Sequence, residues 1–349
     1  MNEGSMLTRL DIRAPYLVLI GDVPDPTYAK TGFGLVHWCP ERVIGQFRLP
    51  GCGTDLGVPE LTLEAAVAAG AASLVVGVAP AGGQIPDHWW QVLAQAAELG
   101  LDVVSGLHQR LIDNEELLAA AQKSGVRLVD VRVPPAQLPI ATGLRRSGRR
   151  LLCVGTDCAV GKKYTALALH RAMRAAGFDT TFRATGQTGI MISGEGIPLD
   201  AVIADFAAGA VEHLTPARAE NHWDVIEGQG SLFHPAYSGI SLSLLHGAQP
   251  DAFVVAHEPA RTKLSGWEAF ETPTLEACIA LHIELGKRVN RGIRCVGVSM
   301  NCSGLEETER SRYLAETAER TGLPCVDVMR DGAEAIVDRL LKEFPEPRQ

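Results

Sequence analysis

The chain has 349 residues, 46% of them hydrophobic and 21% charged, with a net charge of −9. That length fits two globular cores, and the acidic balance argues against broad binding to nucleic acid or anionic membranes. No apolar run reaches membrane-spanning length, the N-terminus MNEGSMLTRLDIRAP lacks a basic-then-apolar leader, and the eight cysteines form no C-x-x-C pair. A cytoplasmic protein without zinc ribbon or disulfide framework is the expectation.

In chain order, a first buried strand is expected over 16–20, ending at Gly21-Asp22, followed by a loop through Lys30-Thr31-Gly32 and a Gly- and Pro-rich stretch over 49–59. Then a rhythm sets in. Strands are expected over 73–78, 101–104 and 127–131, and helices over 63–69, 87–99 and 114–123. Alternating strands and helices imply a parallel, doubly wound sheet, so the fold class is α/β and the first domain Rossmann-like. No G-x-G-x-x-G follows its first strand, which argues against a dinucleotide site. Pro134, Pro135 and Pro139 and the basic run from Gly143 to Arg150 read as a solvated linker, dividing the chain into domains 1–147 and 148–349.

The second domain opens on an apolar strand at 151–154, then Gly155-Thr156-Asp157-Cys158-Ala159-Val160-Gly161-Lys162, then a helix from Tyr164. Strand, G-x-x-x-x-G-K and helix in that order is the setting of a phosphate-cradling P-loop, with loop amides, a helix N-terminus and a lysine converging on the anion. A P-loop follows its lysine with Ser or Thr, whose hydroxyl binds Mg²⁺. Here that position is Lys163, and Thr165 lies too far along the helix to replace it simply. Asp157 is expected to point away from the anion or to cap the helix, and Cys158 to be a small packed residue, since no adjacent histidine is evident in the sequence. Further strands are expected over 178–183, 223–226, 252–256, 295–299 and 324–328, with helices over 199–213, 241–246, 273–289, 306–321 and 333–344, completing a P-loop NTPase-like α/β domain.

In open α/β sheets ligands bind beyond the carboxyl ends of the strands. Three loops there should converge: 155–162, 185–189 and 227–234. In Glu227-Gly-Gln-Gly-Ser231-Leu-Phe-His234, the acid is a base, a metal ligand or a loop cap, and His234 a base or a structural histidine. Thr185-Gly186-Gln187-Thr188 offers donors suited to a phosphate or carboxylate, or is an ordinary turn. Arg183, Arg132 and Lys30 are candidate cations for an acidic substrate. Asp200, Asp205 and Glu212 are candidates to share a metal with Glu227, although an amphipathic helix with an acidic solvated face is the plainer alternative.

The pair GTDCAVGK and EGQG resembles the dethiobiotin synthetase group, whose loops read GTD-x-x-VGKT and EGAGG and which uses Mg–ATP. A closer resemblance covers nearly the whole chain: LVVGVAPAGG, VSGLH, DVRVPP, VGTDCAVGKK, ATGQTGIMISGEGIPLDAVIADFAAGAVE and EGQGSLFHPAYSG are similar to a bacterial and archaeal family with a Rossmann-like N-terminal and a P-loop C-terminal domain. The resemblance implies a D-glutamate N-acetyltransferase that uses acetyl-CoA in D-amino-acid catabolism. Residues 155–164, Tyr164 included, would then hold coenzyme A phosphates without a bound metal; Glu227 or His234 would be the base; and Thr185, Gly186, Gln187, Thr188, Arg183, Arg132 and Lys30 would meet the amino acid. The alternatives are an ATP- and Mg²⁺-dependent ligase or kinase and a non-catalytic nucleotide-binding protein. Small-molecule substrates and a homo-oligomer are expected.

Overall fold

A computed structural model describes residues 8–345. Its strands, in order, are β1 (Thr8–Arg9), β2 (Tyr16–Gly21), β3 (Val43–Arg48), β4 (Ser73–Val76), β5 (Asp102–Ser105), β6 (Leu128–Asp130), β7 (Arg149–Gly155), β8 (Thr180–Arg183), β9 (Glu195–Gly196), β10 (Trp223–Ile226), β11 (Ala252–His257), β12 (Lys263–Leu264), β13 (Trp267–Glu271), β14 (Arg294–Met300) and β15 (Cys325–Val326). The fold is α/β, as expected, with two parallel sheets.

The first sheet has the order β3-β2-β4-β5-β6. This is a doubly wound arrangement in which the chain reverses beside its first strand. The residues of β2, β4 and β5 are buried throughout, which explains their near-continuous apolar reading. Two elements here escape a periodicity reading. Lys30-Thr-Gly is not a loop but the first turn of the helix Lys30–Trp38. β3 reads V-I-G-Q-F-R, with a glycine and a glutamine inside it. Gln46 is buried and bonded to Asp55 and to the amide of Leu56, and a Cβ at Gly45 would lie 2.5 Å from the carbonyl oxygen of Pro59, so both odd residues answer to the returning chain.

The second sheet has the order β15-β14-β11-β7-β10-β8. β7, which carries the P-loop, lies between β10 and β11, so its carboxyl end opens at the reversal of strand order. The small antiparallel hairpin β12–β13 follows β11.

The contacts divide the chain elsewhere than a single cut at 147/148. One unit comprises Thr8–Pro134 with Gln187–Ala201; the other takes Pro135–Gly186 and the chain from Val202 onward. The basic stretch read as a solvated linker is a strap of the P-loop unit. The amides of Thr142 and Gly143 donate to Glu212, Arg145 and Arg146 reach Asp251 and the carbonyl of Thr215, and a Cβ on Gly209 would lie 1.8 Å from the carbonyl of Pro139. Residues 187–201 belong with the first unit because the helix Gln187–Ser193 bonds Thr188 to Thr31 (2.9 Å) and because β9 pairs with β1. Among the described residues no helix is long and apolar enough to cross a membrane.

Candidate functional site

The loop between β7 and the helix Lys162–Ala175 is a tight curl. Gly161 caps the helix at φ +102°, a backbone that side chains rarely adopt, and a Cβ on Gly155 would lie 2.9 Å from Val160 Cγ2. The Thr156 amide donates to Ala256 (3.1 Å), and its hydroxyl is 3.0 Å from His257 Nδ1. Lys162 is buried; its Nζ donates to the Asp157 carbonyl (2.7 Å), and burial pushes its pKa down. Lys163 lies over the Tyr164 ring, 4.5 Å from its centroid. Thr165 Oγ1 sits 3.1 Å from the Gly161 carbonyl and 2.8 Å from Ser299 Oγ, which ties the helix to β14.

Asp157 does not cap the helix, whose N-cap is Gly161 with no side-chain bond. Fully buried, it takes the Cys158 amide on Oδ1 (2.6 Å) and Arg261 and the Ser265 amide on Oδ2 (2.9 and 2.8 Å). Arg261 also donates to the Cys158 carbonyl (2.7 Å) and to Glu258 (2.6 Å). Sequence reasoning missed Arg261. The signal was present, because Glu258-Pro-Ala-Arg261 lies just beyond the carboxyl end of β11.

The loop after β10 is latched onto this curl. Ser231 Oγ donates to the Thr156 carbonyl (3.0 Å), and a Cβ on Gly228 would fall 1.7 Å from the Cys153 carbonyl and 3.1 Å from Lys162 Cδ. Only glycine permits that approach. Gly228→Ala is therefore expected to destabilise the protein by on the order of 3 kcal/mol, read as a lower denaturation midpoint; an unchanged midpoint would contradict the packing.

Glu227 is only 4% exposed. Its Oε2 accepts the amides of Thr185 (2.9 Å) and Gly186 (3.0 Å), and Thr185 Oγ1 donates to the Glu227 carbonyl (2.8 Å). Burial raises its pKa, opposed by those two amides and by Lys163 and Lys162. His234 is 0% exposed, stacked on Tyr237 (4.5 Å between centroids) and edge-on to Trp267 (4.4 Å). Its Nδ1 accepts the Ala236 amide (3.2 Å), which places the proton of the neutral ring on Nε2, a buried atom with no hydrogen-bond partner. Burial lowers its pKa. His234 in this tautomer is a donor, and of the two candidate bases only Glu227 has a basic atom to offer.

Asp157, Cys158 and His234 each bring a potential ligand atom within 4.8 Å of the others. This histidine beside Cys158 was invisible in the sequence, where 76 positions separate the two.

Arg183 meets Glu227 through its backbone alone, its carbonyl accepting the Glu227 amide (3.0 Å). Arg183 is buried and ion-paired with Asp224 (2.6 Å). Gln187 and Thr188 belong to the first unit, as do Arg132, bonded to the Gly106 carbonyl and to Asp200, and the exposed Lys30. Asp200 and Glu212 thus have partners of their own, and Asp205 is exposed in the first turn of the helix Ala204–Leu214.

Two family models match the chain: a domain of unknown function, DUF1611_C, described as a P-loop domain, over residues 139–337, and DUF1611_N, described as a Rossmann-like domain, over residues 48–134. A D-glutamate N-acetyltransferase of Tritonibacter scottomollicae is 52% identical over 94% of this chain and 99% of its own length. One from a Pseudoalteromonas species is 42% identical over 95% of this chain and 100% of its own. The crystal structure of a DUF1611 family protein from Anabaena variabilis superposes with a TM-score of 0.87 at 35% identity, covering 95% of this chain and 100% of that one.

Proposed function

The chain belongs to the DUF1611 family, and on that premise we propose that it is a D-glutamate N-acetyltransferase of D-amino-acid catabolism that takes its acetyl group from acetyl-CoA. Its two similar curated relatives carry that name. The observation that favours coenzyme A over Mg–ATP is local: the phosphate cradle and Lys162 are kept, while Lys163 replaces the magnesium hydroxyl and Thr165 is bonded to Ser299. Coenzyme A phosphates suit such a loop, and acetyl-CoA supplies an activated thioester that needs no metal. The 155–162 curl would hold the phosphates, with Lys162 leaving the Asp157 carbonyl for them.

The amine of glutamate reaches the site as an ammonium and must lose a proton before it attacks. We assign that step to Glu227, whose burial raises its basicity. His234 Nε2–H is suited to hydrogen-bond the oxyanion that develops on the acetyl carbonyl. The reaction is placed in the cytoplasm, a placement supported by eight cysteines free of disulfides.

The direct test is coenzyme A release across a panel of D- and L-amino acids, with and without a chelator. Acetylation of D-glutamate that is insensitive to the chelator is expected. ATP hydrolysis or Mg–ATP binding with no acetyl transfer would sink the reading. Lys162→Ala should raise the KM for acetyl-CoA by about 10- to 100-fold, the worth of a charge-assisted hydrogen bond to phosphate; an unchanged KM would remove the P-loop from donor binding.

A further inference from the structure

Resting on that reading, we propose that Arg261 is the positioning residue of the donor site: from the loop after β11 it holds the 155–162 curl in the shape that receives the phosphates of coenzyme A. The backbone of the curl shows what has to be held. Ala159 stands at φ +56°, in the left-handed region that side chains rarely adopt, and among the described residues Gln249 is the only other non-glycine residue there. Left-handed residues in such a curl turn successive amides to one side and build an anion-binding nest. An alanine persists in that conformation only where its surroundings impose it.

Arg261 supplies those surroundings. The peptide between Cys158 and Ala159 is the plane whose rotation sets the φ of Ala159, and Arg261 Nη1 bonds its carbonyl oxygen (2.7 Å). The peptide is planar and trans, so fixing that carbonyl also fixes the Ala159 amide, which points the opposite way, away from the guanidinium. The same Nη1 bonds Oδ2 of the fully buried Asp157 (2.9 Å), whose Oδ1 accepts the Cys158 amide (2.6 Å), so the backbone of Cys158 is clamped on both sides.

The guanidinium is itself held. Its Nη2 donates to Glu258 Oε2 (2.6 Å), which Asn301 Nδ2 approaches at 3.4 Å, and its side chain is only 18% exposed. β11 pairs with β7 as far as Ala256 and Gly155, so the loop that carries Arg261 starts beside the curl. These two nitrogens are engaged by the curl and by Glu258. Arg261 therefore acts on the donor through the backbone it shapes, while Lys162 meets the phosphates.

The test measures coenzyme A binding to the full-length protein by calorimetry, beside acetyl-transfer kinetics. If losing the clamp leaves the nest formed about 1–10% of the time, Arg261→Ala should weaken coenzyme A binding and raise the KM for acetyl-CoA by about 10- to 100-fold. The KM for D-glutamate and kcat at saturation should stay within about threefold of wild type. Arg261→Lys keeps a charge opposite Asp157 without the planar fork and should lose less, about 3- to 10-fold, which keeps the test open should Arg261→Ala fail to fold. Ala159→Gly added to either variant should recover most of the loss, because glycine takes a positive φ without steric cost. Unchanged coenzyme A affinity in both Arg261 variants, with D-glutamate still acetylated by the wild type, would overturn the clamp and leave the proposed function standing. An equal rise in the two KM values, or no recovery by Ala159→Gly, would also overturn it, leaving Arg261 a contact of the fold. Wild-type protein that binds Mg–ADP and not coenzyme A, with the same loss in Arg261→Ala, would support the clamp and fail the coenzyme A reading.

Discussion

Glu227→Gln is expected to fold normally and to lower kcat for N-acetylation by about 10²- to 10⁴-fold, the usual worth of a positioned general base. The side-chain carbonyl of glutamine can still accept the amides of Thr185 and Gly186, so the loop 185–186 keeps its anchor. What is lost is a basic oxygen held at the carboxyl end of β10. The pH profile separates that role from a structural one. A base works deprotonated, so kcat rises with pH through the pKa of Glu227. Burial raises that pKa, which puts the acid limb above the ordinary glutamate value of about 4.3. The limb should vanish in Glu227→Gln.

Stability follows the same group with its own sign. A carboxyl whose pKa is higher in the folded than in the unfolded chain binds more protons when folded. Its contribution is complete below the unfolded pKa and is lost as pH rises through the folded one. Stability measured against pH should therefore fall less steeply in that window for Glu227→Gln than for the wild type. Full activity of the variant with an unchanged acid limb would remove Glu227 from the chemistry.

Much of this site is readable in one dimension because each part sits within a few residues of a strand end. Gly155–Lys162 and Glu227–Ser231 announce themselves by glycines whose spacing only close backbone approach explains, and Gly228 against the Cys153 carbonyl is that explanation in atoms. The partners of those residues are less readable, because partnership is made across the fold. Arg261 holds Asp157 from 104 positions away, and His234 meets Cys158 from another loop. The tautomer of His234 is set by the backbone amide of Ala236, a group that no sequence pattern displays. The crossing of 187–201 to the first unit was hidden for a related reason. A helix that begins at Gln187 looks like a glycine turn until Thr188 meets Thr31.

Arg183 carries the other large effect, and it tests the folded core as much as the site. Its side chain is 3% exposed and that of Asp224 is 2% exposed, on neighbouring strands of one parallel sheet, with Arg183 Nε 2.6 Å from Asp224 Oδ1. Asp224→Asn removes the charge opposite a guanidinium that cannot shed its own and whose Nη2 already lacks a partner. Breaking a buried pair from one side costs about 3–5 kcal/mol, which in a marginally stable protein is a large share of the whole. Chemical denaturation of Asp224→Asn should show that loss. The double replacement Arg183→Met with Asp224→Leu should recover most of it, since an apolar pair of similar volume leaves no buried charge behind. This bears on substrate recognition. An arginine spent on Asp224 is a poor cation for the carboxylates of glutamate, so Arg183→Met should lower the denaturation midpoint while the folded fraction keeps its KM for D-glutamate. A stable Arg183→Met protein with a raised KM would return Arg183 to the substrate and leave Asp224 without its structural role.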